Sequence, residues 1–146
     1  MKSKTYSKNM EMELKEILGS HSFRITKPRL EILKVLKTCS KPVTIPEIQE
    51  KLGDSTIDQA TIYRTINSFL KRKLLAEHNF NDNINRFELV IDRHHHHHVV
   101  CKKCGRIENI EACYSGKIEK ELQERGYRDI SHSMEFFGVC EKCREN

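Results

Sequence analysis

Residues 58–90 read DQATIYRTINSFLKRKLLAEHNFNDNINRFELV, and a change of pattern inside this stretch decides the fold. Ile62, Ile66, Phe69 and Leu70 recur at helical spacing behind Asp58, a good N-capping residue, so the spacing predicts a helix from Gln59 to about Lys73. From Leu74 the pattern becomes that of strands. Leu74 to Phe80 and Asn85 to Val90 flank the turn-rich Asn81-Asp82-Asn83, which predicts a β-hairpin. Tyr63 falls outside the apolar stripe of the helix, so it is expected to face a partner and not the core.

Toward the N-terminus, further short helices precede this one. Thr44-Ile45-Pro46-Glu47 has the spacing of a capping box and opens a helix ending near Leu52. Thr26-Lys27-Pro28 opens another, with proline in the first turn, where its missing N–H costs nothing. Leu30, Ile32, Leu33, Val35 and Leu36 form its buried face. A first helix is expected from Met10 to Leu18, stopped by Gly19. Helices closing on a hairpin give the order of a winged helix-turn-helix, in which the helix before the wing enters the DNA major groove.

Toward the C-terminus the chain alternates. Strands are expected at Val99-Val100, Ile107 to Ile110 and Ser133 to Val139, with a helix from Ser115 to Arg125 ended by Gly126. The predicted class is therefore α+β, an N-terminal winged helix-turn-helix domain (1–82) followed by a small α/β domain (83–146), with a hinge near residues 80–87.

Charge divides along the same line. Residues 1–80 carry 15 Lys and Arg against 9 Asp and Glu, whereas residues 81–146 carry 11 against 12. The second part also holds five of the six cysteines and six of the eight histidines. A basic part beside a metal-rich part suggests a nucleic-acid reader coupled to a metal domain. No apolar run reaches the roughly 18–20 residues of a membrane helix, and Met1 to Lys8 is polar and basic with no apolar segment behind it. These features predict a cytoplasmic protein with reduced thiols, so the cysteines are read as metal ligands and not as disulfides.

Cys101-Lys102-Lys103-Cys104-Gly105 and Cys140-Glu141-Lys142-Cys143 are two C-x-x-C turns, each presenting two sulfurs from one tight knuckle. Two knuckles complete the tetrahedral sulfur set that zinc favours, and four protein ligands leave no open position, so the expected site is structural. Cys39 and Cys113 lack such partners; Cys39, ending an apolar helix, is expected to act as a small hydrophobe.

His94 to His98 lies between predicted strands and directly before the first knuckle. On a strand, His94, His96 and His98 would face one way and His95 and His97 the other. Each H-x-H pair needs further ligands, for which Glu88 and His132 are available. Imidazole with carboxylate suits Fe(II), Zn, Mn, Co or Ni, and ligand chemistry does not choose among them. A metal-dependent hydrolase could use such a set, but no acid/base apparatus beyond the ligands is evident. A metal store would not require Tyr63-Arg64 on a capped helix.

Taken in order, Arg24-Ile25-Thr26-Lys27-Pro28-Arg29, Gln59-Ala60-Thr61-Ile62-Tyr63-Arg64, Arg86-Phe87-Glu88-Leu89, His94 to His98 running into Cys101-Lys102-Lys103-Cys104-Gly105, and His132 before Phe137-Gly138-Val139-Cys140 resemble the ferric uptake regulator family of metal-dependent repressors. The match covers nearly the whole chain. It implies a non-enzymatic repressor that binds an AT-rich palindrome of double-stranded DNA as a homodimer through its C-terminal domain, with no membrane and no small-molecule substrate.

The resemblance also assigns residues. Tyr63 would contact bases, Arg64 the backbone or a base edge, and Arg24 a narrow minor groove, with Thr61 beside them. Cys101, Cys104, Cys140 and Cys143 would hold structural zinc. The regulatory divalent metal would be held by Glu88, His96 and His98, and a second metal by His95, His97 and His132. The chain departs from the family where a hinge histidine is replaced by Lys41-Pro42-Val43, where Asn109 replaces a carboxylate, and where a helix glutamate falls near Ser115-Gly116. Glu77, His78, Glu108 or Glu111 are the possible substitutes. Peroxide-sensing members tend to carry Asp at the position of Glu88, and zinc sensors often place a cysteine in the regulatory site; none lies between Cys39 and Cys101. The resemblance thus implies an iron-type or broadly divalent sensor, Fe(II) favoured over Zn(II) or Mn(II).

Overall fold

The computed structural model describes residues 2–90 and 95–145. The chain divides into two units, Met1–Ile91 and Asp92–Asn146.

The first unit begins with helices α1 (Lys2–Ser20), α2 (Lys27–Thr38), α3 (Ile45–Leu52) and α4 (Gln59–Lys71). Each start is written in local chemistry. At α3 the capping box closes both ways: Glu47 N–H donates to Thr44 Oγ1 at 3.3 Å and Thr44 N–H donates to Glu47 Oε2 at 2.7 Å. At α4 the Asp58 carboxylate accepts from Thr61 N–H at 2.6 Å. Thr26 precedes α2 without a side-chain cap, and proline in the first turn serves instead. The first helix departs from expectation at both ends. It starts at Lys2 and runs through Gly19 to Ser20, and the reversal comes at Ser22, whose φ is +58°. Phe23 N–H then returns to Leu18 O at 2.8 Å.

These helices meet around Leu18, Ile32, Leu33, Leu36, Ile48, Ile62, Ile66 and Phe69, all essentially without solvent exposure. Burying each such side chain stabilises the unit by about 1.5–3 kcal/mol. Phe69 packs edge-on to Phe23, ring centroids 5.1 Å apart, and the Arg72 guanidinium covers the Phe23 ring at 4.4 Å.

Strands β1 (Leu75–Asn79) and β2 (Asn85–Leu89) form an antiparallel hairpin in register from Leu75 opposite Leu89 to Asn79 opposite Asn85. Asn81 and Asn83 take left-handed conformations at its tip, φ +60° and +59°, which asparagine tolerates. Val43, just before α3, bridges Phe87 and ties the wing to the helices. Because β2 is paired to β1, the expected division at 82/83 would cut this hairpin. The ladder moves the boundary to 91/92, and residues 80–87 are tip and strand, not a hinge.

The second unit is a three-stranded sheet ordered β4-β3-β5, built from β3 (His97–Cys101), β4 (Ile107–Ile110) and β5 (Glu135–Gly138), with helix α5 (Gly116–Glu124). β3 pairs antiparallel with β4 and parallel with β5. A short α6 (Glu141–Arg144), not foreseen from the sequence, carries the second knuckle. No described helix is long and apolar enough to cross a membrane.

Candidate metal centres and nucleic-acid interface

In the first unit, α4 buries Ile62, Thr65, Ile66 and Phe69, which turns Tyr63 outward at 47% exposure. Arg64 follows it and donates to Thr61 Oγ1 at 3.1 Å. Arg24, Arg29 and Arg64 line one cleft with Thr26, Pro28, Thr61 and Thr65, and no carboxylate among the described residues lines it. Arg29 donates to Arg24 O at 2.7 Å, which fixes the segment entering α2. Asp58, just before α4, lies near Arg64. The Thr61 N–H holds its carboxyl below the usual range, so its charge is engaged at the helix terminus. Three guanidiniums around one cleft attract a polyanion. Tyr63 lines a neighbouring groove with Asn67 of α4, Thr44 and Ile84. The structure thus sets Arg24, Thr61 and Arg64 together, with Tyr63 exposed on the same helix.

In the second unit, the sheet register explains why two knuckles distant in sequence meet. Cys101 ends β3 opposite Gly138 of β5, and Lys102 N–H donates to Gly138 O at 2.7 Å. The chain after Cys101 reverses through Gly105, which has φ +73°, a conformation that suits glycine. Cys101, Cys104, Cys140 and Cys143 then lie with all sulfurs within 4.8 Å of one another. Cys140 N–H donates to Cys101 Sγ at 3.4 Å.

The electrostatics are those of a site made for a cation. Backbone N–H groups of Cys140 and then Cys104 lower the Cys101 thiol to about 6. Cys143, hydrogen-bonded to the Cys140 and Cys104 sulfurs, is pushed up to about 12. One thiolate forms readily and opposes the next, so full ionisation of the set calls for a dication. The four-sulfur donor set fits zinc.

A second cluster gathers on the same unit. His95 Nε2 lies 3.1 Å from His97 Nε2 and 2.7 Å from His132 Nε2, and the latter two are 3.4 Å apart. Cys113 joins them, its Sγ 3.4 Å from His132 Nε2. The sequence reading left Cys113 without partners, and the fold corrects this by bringing the loop after β4 alongside His132. The available signal was a metal-ligating residue close to Ser115-Gly116, where the family's glutamate is missing. Glu119 was also missed; its Oε1 sits 3.0 Å from His132 Nδ1. The Ser115 hydroxyl above all, and His132 as well, keep Glu119 ionised, while burial, then His132 and His97, disfavours a charged His95. Hydrogen bonding from Ser115 lowers the Cys113 thiol.

The expected regulatory residues fall on different elements. Glu88 sits buried on β2 of the first unit, 3.2 Å from His78 Nε2 on β1. His96 and His98 belong to the second unit, their rings 5.0 Å apart. His94, expected on the same face, lies outside the described residues.

A sequence model of the ferric uptake regulator family matches residues 20–137. A peroxide-responsive repressor of Staphylococcus aureus is 31% identical over 143 residues, covering 94% of this chain and 95% of its own length. Among solved structures, the ferric uptake regulator of Helicobacter pylori superposes with a TM-score of 0.76 at 22% identity, covering 95% of this chain and 94% of that one. The iron-bound ferric uptake regulator of Francisella tularensis superposes with a TM-score of 0.71 at 28% identity, covering 84% and 95%.

Proposed function

The chain belongs to the ferric uptake regulator family, metal-responsive transcriptional regulators and not enzymes, and from that premise we propose that it represses transcription by gripping an AT-rich palindromic operator as a metal-loaded homodimer. The observation that carries this reading is the presentation of α4. One face is buried to completion, and the other offers exposed Tyr63 beside the Arg24, Arg29 and Arg64 cleft, ahead of a wing. In this reading the Tyr63 ring meets thymine methyl groups and Arg64 a phosphate or base edge, with Thr61 beside it. Arg24 enters the narrow minor groove of AT-rich sequence, where negative potential is greatest.

A second copy of the chain is supported by apolar surface on the second unit. Tyr114, Ile118, Tyr127 and Phe136 are exposed in the single chain, and α5 buries no residue. Large apolar side chains left in solvent on so small a unit are surface that a second copy would cover.

Structural zinc belongs to Cys101, Cys104, Cys140 and Cys143. The regulatory ion is assigned to Glu88, His96 and His98, with His78 added because its Nε2 lies 3.2 Å from Glu88 Oε2. Imidazole and carboxylate do not choose among Fe(II), Mn(II) and Zn(II); Fe(II) is favoured here because a relative of 28% identity is iron-bound. A second ion is assigned to His95, His97 and His132. In this reading the regulatory ion favours the form that grips DNA, so operator affinity depends on metal, with a coupling of about 1–3 kcal/mol.

The test is fluorescence anisotropy on a labelled AT-rich palindrome, under anaerobic conditions, with Fe(II), Mn(II) or Zn(II) added to protein whose four-cysteine zinc is intact. The expected result is affinity raised about tenfold or more, within that coupling range, with a steep salt dependence. Equal binding by chelated and metal-loaded protein overturns the reading.

A further inference from the structure

We infer that Cys113 is the fourth ligand of the second metal site, which makes it a closed three-histidine, one-cysteine zinc site. This rests on the assignment of His95, His97 and His132 above and extends it to the metal preferred.

The donor geometry is the first support. The four ligand atoms all lie within 4.8 Å of one another. Zn–N bonds of about 2.0–2.1 Å and Zn–S bonds of about 2.3 Å, set tetrahedrally, place donor atoms roughly 3.3–3.6 Å apart. The His97–His132 and Cys113–His132 separations are both 3.4 Å, and His95–His97 is 3.1 Å. His95–His132, at 2.7 Å, must open by under 1 Å.

A second, independent support is the scaffold behind the donors. The His97 Nδ1 faces Met134 O at 3.1 Å and the His132 Nδ1 faces Glu119 at 3.0 Å, so both rings turn Nε2 toward the cluster. Ligating histidines are oriented by such outer partners. Ser115 extends the scaffold to sulfur. It stands at the N-cap of α5, yet its hydroxyl makes no capping bond. Instead Ser115, only 6% exposed, donates to Glu119 Oε1 at 2.6 Å and lies 3.1 Å from Cys113 Sγ. One buried hydroxyl thus positions both the thiol and the carboxylate that orients His132. Glu119, behind His132, acts here as a positioning residue and not as a ligand.

Chemistry then selects the ion. Replacing a carboxylate by a thiolate favours zinc or cobalt over the harder Mn(II), and a four-protein-ligand set suits a tetrahedral ion. With no position left open, the site is structural or regulatory.

The experiment is a Co(II) titration of the full chain, its four-cysteine zinc verified by elemental analysis before and after. A sulfur-to-cobalt charge-transfer band should grow with the equivalent that depends on His132. Cys113→Ser should abolish that band and weaken the same binding at least about tenfold. Cys113→Asp should lose the band and keep more of the affinity. Zinc should outcompete Mn(II) at this site in the wild-type chain and lose part of that advantage in Cys113→Asp. Alkylation of Cys113 in the wild type, followed by mass spectrometry, should slow on addition of zinc, which tests the proposal even where a variant folds poorly. Cobalt binding that needs His132 but shows no sulfur band, or unchanged affinity in Cys113→Ser, overturns the role of Cys113 and leaves a histidine site standing. Absence of any His132-dependent cobalt binding sinks the three-histidine assignment itself.

Discussion

Changing Cys104 to serine should unfold the second unit while leaving the first intact. The Cys104 side chain is exposed, so exchanging sulfur for oxygen removes almost no packing. A surface substitution of that kind ordinarily shifts stability by no more than about 0.5 kcal/mol. The metal reading predicts far more, because within the single chain the second unit has little else to hold it. Its buried apolar residues, among those described, are Val100 and Cys101, whereas the first unit buries a continuous cluster from Leu14 to Leu89. Burial of Val100 contributes on the order of 1.5–3 kcal/mol. A structural zinc site contributes about 10–16 kcal/mol of apparent folding free energy. Loss of one thiolate ligand forfeits several kcal/mol of that, more than this burial can replace. Hydrogen exchange read by mass spectrometry gives the assay, run at concentrations where the wild type is dimeric. Peptides covering β3, β4 and β5 should lose protection, and those covering α2, α3 and α4 should keep it. A variant that has lost its zinc but retains wild-type protection across the sheet would refute the argument.

Four further outcomes follow from the first unit. Tyr63→Ala should weaken operator binding by about 1–3 kcal/mol with folding unchanged, and Arg24→Ala should lower the slope of log affinity against log salt by about one; anisotropy titrations at several salt concentrations check both. Thr44→Ala removes one arm of the α3 capping box and should cost about 1 kcal/mol, read as a lower Tm by calorimetry. At Glu47, burial raises the carboxyl, but the Thr44 N–H and hydroxyl outweigh it, so its folded pKa lies below the ordinary 4.5. Its contribution is therefore present above pH 4.5 and lost as pH falls through the lowered folded value. Denaturation of Thr44→Ala, which keeps the N–H, should show a shallower acid-side loss than wild type.

What was legible in the sequence depended on how local its cause was. The α3 and α4 starts were readable because Thr44, Glu47, Asp58 and Thr61 act within one turn of each other. The hairpin was readable from Asn81-Asp82-Asn83, since asparagine tolerates the left-handed tip. The first helix was misjudged because Gly19 carries no positive φ, and Ser22 makes the turn. The domain boundary was misplaced because a polar tip resembles a linker until its strands are paired. Cys113 was missed for a different reason. Its histidine partners come from β3, from the residues just before that strand and from the segment before β5, all distant along the chain, and only Ser115, two residues on, is local.

The same strand carries both kinds of site, and this orders their assembly. Neighbouring residues of β3 point to opposite faces, so His97 turns toward His95 and His132. The ring of His98, the next residue, lies 5.0 Å from that of His96. A slip of one residue would exchange the two sets. Register on β3 is fixed at its far end, where Cys101 pairs with Gly138 and Val100 with Phe137, directly beside the four sulfurs. The knuckles therefore decide which histidine faces which way, three to four residues before the first cysteine. It follows that Cys104→Ser should lose Co(II) binding at the His95, His97 and His132 cluster although no ligand there has been changed. Isothermal titration with cobalt, at a temperature where the first unit remains folded, measures it. Wild-type affinity at that cluster in the absence of the four-cysteine zinc would show that β3 holds its register without the knuckles, and that the two metal sites assemble independently.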